Sequence, residues 1–253
     1  MRLFQRVVDA IAAPTIGVAL GAASFARRAR VFHPDGAAFQ ATIELDGGRP
    51  AVGACALTGP GRHRAVIRLS KGIGLPGATP DILGFALRIL DAHGSGSHQD
   101  LLLVTSAAPA VGRHLILPAR DFGGGFYSSI LPYRDGDDLL LFAIRPLWAD
   151  GVDLDEMSSA RFADVEEHLT AGRLRFELLA ADLTGPWQPV GTIDVGRRLS
   201  EAEQEALRFN VFNTGESLRP AGVINAMRRS VYRASQTARP TPMEDPTDNG
   251  AAA

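Results

Sequence analysis

Arg30-Val31-Phe32-His33-Pro34-Asp35-Gly36-Ala37-Ala38-Phe39 is the stretch on which the reading of this 253-residue chain turns. Ahead of it the chain is rich in Ala, Gly and Val; from it onward β-type segments begin. Pro34 and Gly36 mark the change, because Pro cannot donate to a ladder and Gly marks bulges and bends. Strands are predicted over residues 38–45, 51–57, 65–70, 85–91, 101–105, 139–145, 174–180 and 191–195, separated by Gly, Pro and Asp. That count suits a closed antiparallel barrel, which leaves no edge exposed. Helices are few and come late. Residues 160–170 read as one; residues 200–209 are capped by Ser200 with Glu203 three positions on. Pro220 is expected to open a C-terminal helix. The expected fold class is therefore α+β, a closed antiparallel barrel with a functional C-terminal helix and few others.

If that last helix forms, Arg228 and Tyr232 of Arg228-Arg229-Ser230-Val231-Tyr232 lie four apart on one face. Arg239, seven further on, returns to nearly the same face. One guanidinium can hold the phenol as phenolate, since a nearby positive charge lowers an acid's pKa. The other is available to a planar anion such as a carboxylate. Tyrosinate is a hard ligand for ferric iron and one of the few haem axial ligands. An ordinary amphipathic helix with arginines in water is the alternative.

The opening stretch resembles the strand of haem catalases that carries their distal histidine. Ile67-Arg68-Leu69-Ser70 resembles the family's next pocket strand, and Gly84-Phe85-Ala86-Leu87-Arg88 the following one. Pro189-Val190-Gly191 and Leu207-Arg208-Phe209-Asn210 are similar to the approach to the proximal helix, and Arg228 with Tyr232 to the ligand motif upon it. The matches are collinear and span residues 30–239. The resemblance implies ferric haem b held by Tyr232, with Arg228 stabilising the tyrosinate. It implies His33 as the acid and base acting on bound peroxide, with Ser70 holding its imidazole. Arg30, Arg68 and Arg239 would clamp the propionates, and Phe32 would border the pocket. In a regular strand Arg30 and His33 point to opposite sides, so both can serve one haem only where the strand bends.

Departures from the family are equally specific. Catalases place an Asn soon after the pair resembled by Asp100-Leu101, where it helps orient peroxide. Here the stretch is Leu102-Leu103-Val104-Thr105-Ser106, without an amide. Thr105, or Ser106 in another register, is the expected hydroxyl substitute. Phe32 is bulkier than the family's usual Val, and Leu83 stands where an Arg is usual. The expected function is therefore a haem peroxidase with weak catalase activity, taking hydrogen peroxide or organic hydroperoxides and an unidentified reducing cosubstrate. The alternatives are a fatty-acid hydroperoxide isomerase or dehydratase, and a non-enzymatic haem-binding barrel.

Composition bounds these readings. The length suffices for one substantial core, and residues 30–240 are read as a single barrel domain. A net charge of −2 offers no footprint for nucleic acid. The single Cys55 excludes an intramolecular disulfide. It sits in an apolar run and reads as core. Residues 1–29 form an N-terminal helical segment in which Leu3, Val7, Ala10 and Ile11 share a stripe. Docking on the barrel, a partner and a membrane surface are its alternative uses, so the localisation read is cytoplasmic, with membrane association as the variant. Residues 241–253 read as a mobile tail, and a homodimer is the expected assembly. His63, His93, His98, His114 and His168 show no ligand spacing and are expected in solvent.

Overall fold

Strict alternation of large apolar residues is what bends this chain into a barrel. In Gly61–Lys71, Ala65, Ile67 and Leu69 face one side and Val66, Arg68 and Ser70 the other. The same period runs through Leu83–Ile89 and Gln99–Thr105, where every second residue is buried. The computed structural model describes residues 35–47, 57, 59–76, 79–110, 112–150, 162–215 and 218–222. Its strands are β1 (Asp35–Leu45), β2 (Gly61–Lys71), β3 (Leu83–Ile89), β4 (Gln99–Thr105) and β5 (Tyr127–Ser128). They continue with β6 (Tyr133–Asp135), β7 (Asp138–Trp148), β8 (Leu174–Asp182), β9 (Gln188–Arg198) and β10 (Leu218–Pro220). Helix α1 (Phe162–Thr170) joins β7 to β8, and α2 (Glu201–Ala206) follows β9.

Hydrogen bonding runs β7-β5-β4-β3-β2-β1-β9-β8, and β8 pairs again with β7 from Leu140↔Asp182 to Trp148↔Leu174. All these pairings are antiparallel, so eight strands close on themselves. Strands β6 and β10 continue outward from β7. Register shifts at Phe39/Ala41 and at Leu178/Leu179 supply the local bending that closure needs. The inward residues form one core, in which Phe85 lies edge-on to Phe176 at 4.9 Å and tilted against Tyr127 at 5.5 Å. Aromatic pairs in such geometry add about 0.5–1.5 kcal/mol beyond their burial.

The predicted strands 38–45, 65–70, 85–91, 101–105, 139–145, 174–180 and 191–195 all have counterparts in the barrel. For the predicted strand 51–57, residues 51–56 lie outside the described residues; Leu57 is a turn residue in the core, and β1 pairs directly with β2. The eighth place belongs instead to β5, whose two residues are too few to show a period. Pro220 does not open a helix but ends β10, where Arg219 pairs with Arg134. At the end of a short strand a residue without an N–H costs no ladder bond.

Ser200 caps α2 as expected, accepting from Glu203 N while Glu203 accepts from Ser200 N at 2.6 Å. The helix stops at Ala206 rather than reaching Phe209, because Leu207 is extended and the chain beyond it is captured by the barrel. Gln204 ties α2 to β1, receiving Ala38 N at 3.0 Å.

Candidate functional site on the outer wall of the barrel

The face of β1–β4 that points away from the core carries an unusual set of residues. One row across the register reads Gly36, Ser70, Gly84 and Val104, continuing to Ser128. The next reads Ala38, Arg68, Ala86 and Leu102. A barrel exterior in water would alternate in charged and polar residues; this one is small, apolar and carries one hydroxyl and one guanidinium. Ser70 is only 4 % exposed and Ser128 fully buried, so this wall is covered. The Arg68 guanidinium lies directly over Gly36, where a Cβ would come within 2.6 Å of its central carbon. Any side chain at Gly36 would displace Arg68. The wall thus offers a flat apolar surface with a cation at its border.

A clamp beside this wall holds the chain that leads toward the C-terminus. Arg88 on β3 grips Asp100 on β4 through two bonds, both 2.8 Å, with Asp100 fully buried and Arg88 11 % exposed. The same guanidinium donates to Arg208 O at 2.6 Å and lies 5.2 Å from the Phe209 ring centre. Asp100 also accepts Asn210 N at 2.8 Å, and its own backbone N–H donates to Asn213 O. Leu199 and Leu207 then pack with Ala38 and Val66 on the barrel exterior. Three sequence stretches singled out separately, around Arg88, Asp100 and Phe209, therefore converge in one place. The signal available in the sequence was two opposite charges on outward positions of otherwise apolar strands.

Of the other candidate residues, Thr105 points away from the row of Ser70. Its hydroxyl donates to Leu117 O at 2.6 Å and accepts Leu83 N at 3.1 Å, so it ties a loop to the barrel end. Val104 is the residue of this stretch that shares the row of Ser70, about 10 Å away at two inter-strand spacings. Only the register could decide which of residues 102–106 faces that wall. Arg30, Phe32, His33, Arg228, Tyr232 and Arg239 lie outside the described residues, as do Cys55 and the segments 1–29 and 241–253.

The histidines are not the solvent-exposed groups expected. His93 Nε2 meets Gln99 Oε1 at 3.0 Å, His98 Nδ1 accepts Asp91 N, and His168 packs against Trp148 while accepting Arg173 Nε. His114 Nδ1 donates to Ile130 O at 2.8 Å, and burial holds its imidazole below the ordinary histidine range. Among the described residues no three His, Cys, Asp or Glu side chains are placed to hold a metal. Hydrogen bonding from Arg197 and the α2 cap hold the Glu203 carboxyl down to about 2. Both shifts make the unfolded chain the better proton acceptor in acid. His114 is expected to withdraw stability as pH falls below about 6.5, its ordinary value. Glu203 follows between about 4.5 and about 2. Urea midpoints measured down this range should show a first decline that His114→Asn removes and a second that Glu203→Gln reduces.

No protein-family model and no curated protein matches this sequence. Solved structures do. A fungal catalase superposes with a TM-score of 0.61 at 14 % identity, over 86 % of this chain and 61 % of its own. A bacterial catalase gives 0.59 at 13 %, over 87 % of this chain and 60 % of its own. The barrel has the catalase-type fold. The chain spans about three fifths of the length of those catalases.

Proposed function

We propose that this protein is a haem-dependent peroxidase that cleaves hydrogen peroxide or organic hydroperoxides and has weak catalase activity. The observation that carries this reading is the outer row of Gly36, Ser70, Gly84 and Val104, bordered by Arg68, in a barrel of catalase type. Small residues admit a flat macrocycle against the strands, and Arg68 suits a carboxylate at its edge. The described residues thus fit the group that the fold implies. Haem, when bound, supplies the redox-active iron at which the O–O bond is broken.

The chain's own groups have separate tasks. His33 takes the proton from one peroxide oxygen and delivers it to the leaving one, which is general acid–base work. Ser70 bonds the imidazole and fixes its tautomer. Tyr232 ligates the iron, with Arg228 keeping the phenol ionised. Arg30, Arg68 and Arg239 neutralise the propionates. Reducing equivalents come from a cosubstrate, because Val104 gives the wall no polar group with which to orient a second peroxide. Val104→Asn is expected to raise the ratio of oxygen release to dye oxidation about tenfold, the equivalent of one well-placed hydrogen bond. An unchanged ratio would remove Val104 from this account.

The apolar pair Val104 and Leu102 also favours a second reading, a fatty-acid hydroperoxide isomerase or dehydratase. Product analysis with a lipid hydroperoxide and no reductant separates the two, since only the second reading predicts turnover. The test of both is the absorption spectrum of protein expressed with added haem. A ferric high-spin tyrosinate-type spectrum, lost or altered in Tyr232→Phe, is the expected outcome. Wild type that binds no haem would overturn the proposal.

A further inference from the structure

The large apolar side chains that stand exposed among the described residues gather at one end of the barrel. They are Ile73 (51 % exposed), Leu115 (45 %), Ile116 (37 %) and Leu117 (41 %). Ile73 follows β2, and the other three lie in the connection from β4 to β5, more than forty residues later in the chain. Asp81 binds the two loops together. Its backbone pairs with Ala119 through bonds of 3.0 and 2.9 Å, and its buried carboxylate accepts the N–H groups of Ile73, Gly74, Leu75 and Ile82. Leu117 is held on both sides by Thr105, its N–H on the backbone carbonyl and its own carbonyl on the hydroxyl. Ser106 forms a β-bridge with Ile116. The apolar residues are thus presented by a braced backbone, which makes their exposure a built feature of the surface.

The charge around them has one sign. No acidic residue occurs from Leu101 to Arg120, a stretch that contains Arg113, His114 and Arg120. Asp81 is consumed by its four backbone donors, and the Asp121 carboxylate is turned onto Gly124 N. Lys71 lies beneath the first loop, donating to Leu75 O at 3.2 Å. Trp187 stacks on Arg113 at 4.5 Å and donates its indole N–H to Ala108 O, placing an amphipathic ring beside the loop. Apolar tips ringed by arginine, with a tryptophan at the border, match the chemistry of a bilayer surface with anionic headgroups. Among the described residues no helix is long and apolar enough to cross a membrane, so the contact is peripheral.

We propose that this end of the barrel, through Ile73, Leu115, Ile116 and Leu117 and with Arg120 beside them, docks the protein on an anionic lipid bilayer. This inference does not depend on the haem reading. The test is co-sedimentation of the full chain with vesicles of phosphatidylcholine alone and of phosphatidylcholine mixed with phosphatidylglycerol. Wild type is expected to bind the mixed vesicles, and Ile116→Asp with Leu117→Asp to weaken binding about tenfold. Arg120→Gln is expected to reduce binding to the mixed vesicles without affecting the neutral ones. Circular dichroism checks the fold, and Leu115→Ser with Leu117→Ser serves if the acidic pair does not fold. Wild type that ignores both vesicles would overturn the proposal. So would full binding by the doubly substituted protein, which would place the contact elsewhere in the chain. Self-association that the substitutions abolish, without vesicle binding, would assign the face to a second copy and equally overturn it.

Discussion

Asp100→Ala is expected to cost about 3–5 kcal/mol of stability, the range for stripping one partner from a buried ion pair. Three consequences follow from the one substitution. The Arg88 guanidinium loses both of its carboxylate bonds while remaining 11 % exposed. Asn210 N loses its acceptor. The strap that follows α2 loses its main anchor on β3 and β4, leaving the packing of Leu199, Leu207 and Phe209 to hold it. Asp100→Asn retains an acceptor for Asn210 N and is expected to cost less than Asp100→Ala. Urea unfolding measures the loss, and hydrogen exchange at Asn210 locates it. A loss below about 1 kcal/mol would mean that the clamp contributes no more than an exposed pair.

His33→Ala is expected to lower peroxidase turnover roughly 100- to 10,000-fold, the usual contribution of a positioned acid–base group. The haem spectrum is expected to persist, because the proposed iron ligand is Tyr232 on a distant part of the chain. A steady-state dye assay reads the rate and the visible spectrum reads haem occupancy. Equal rates in the two proteins would sink the role proposed for His33. Loss of the spectrum together with the rate would instead assign His33 to holding the cofactor. The contrast with Asp100→Ala is diagnostic. That substitution acts through stability, so its activity loss should follow unfolding and recover at lower temperature, whereas the loss from His33→Ala should not.

Local signals carried far in this chain. Alternation along β2, β3 and β4 and along β7 and β8 was legible because a half-buried strand repeats every two residues whatever its neighbours are. The capping box of Ser200 and Glu203 was legible because both partners lie within one turn. The closed antiparallel barrel, now matched by structures of catalases, followed from those elements and from the resemblance. Strand β5, the end of α2 and the place of Pro220 were not legible, because each depends on a partner distant in sequence. Two residues become a strand only between β4 and β7. The helix ends where Arg88 and Asp100 take hold of Arg208 and Asn210. The candidate wall divides in the same way. Ser70 and Arg68 share a face by local alternation alone. That Val104, not Thr105, stands in the row of Ser70 was decided by register across β3, since a shift of one residue exchanges the faces of a strand and only long-range pairing selects between them.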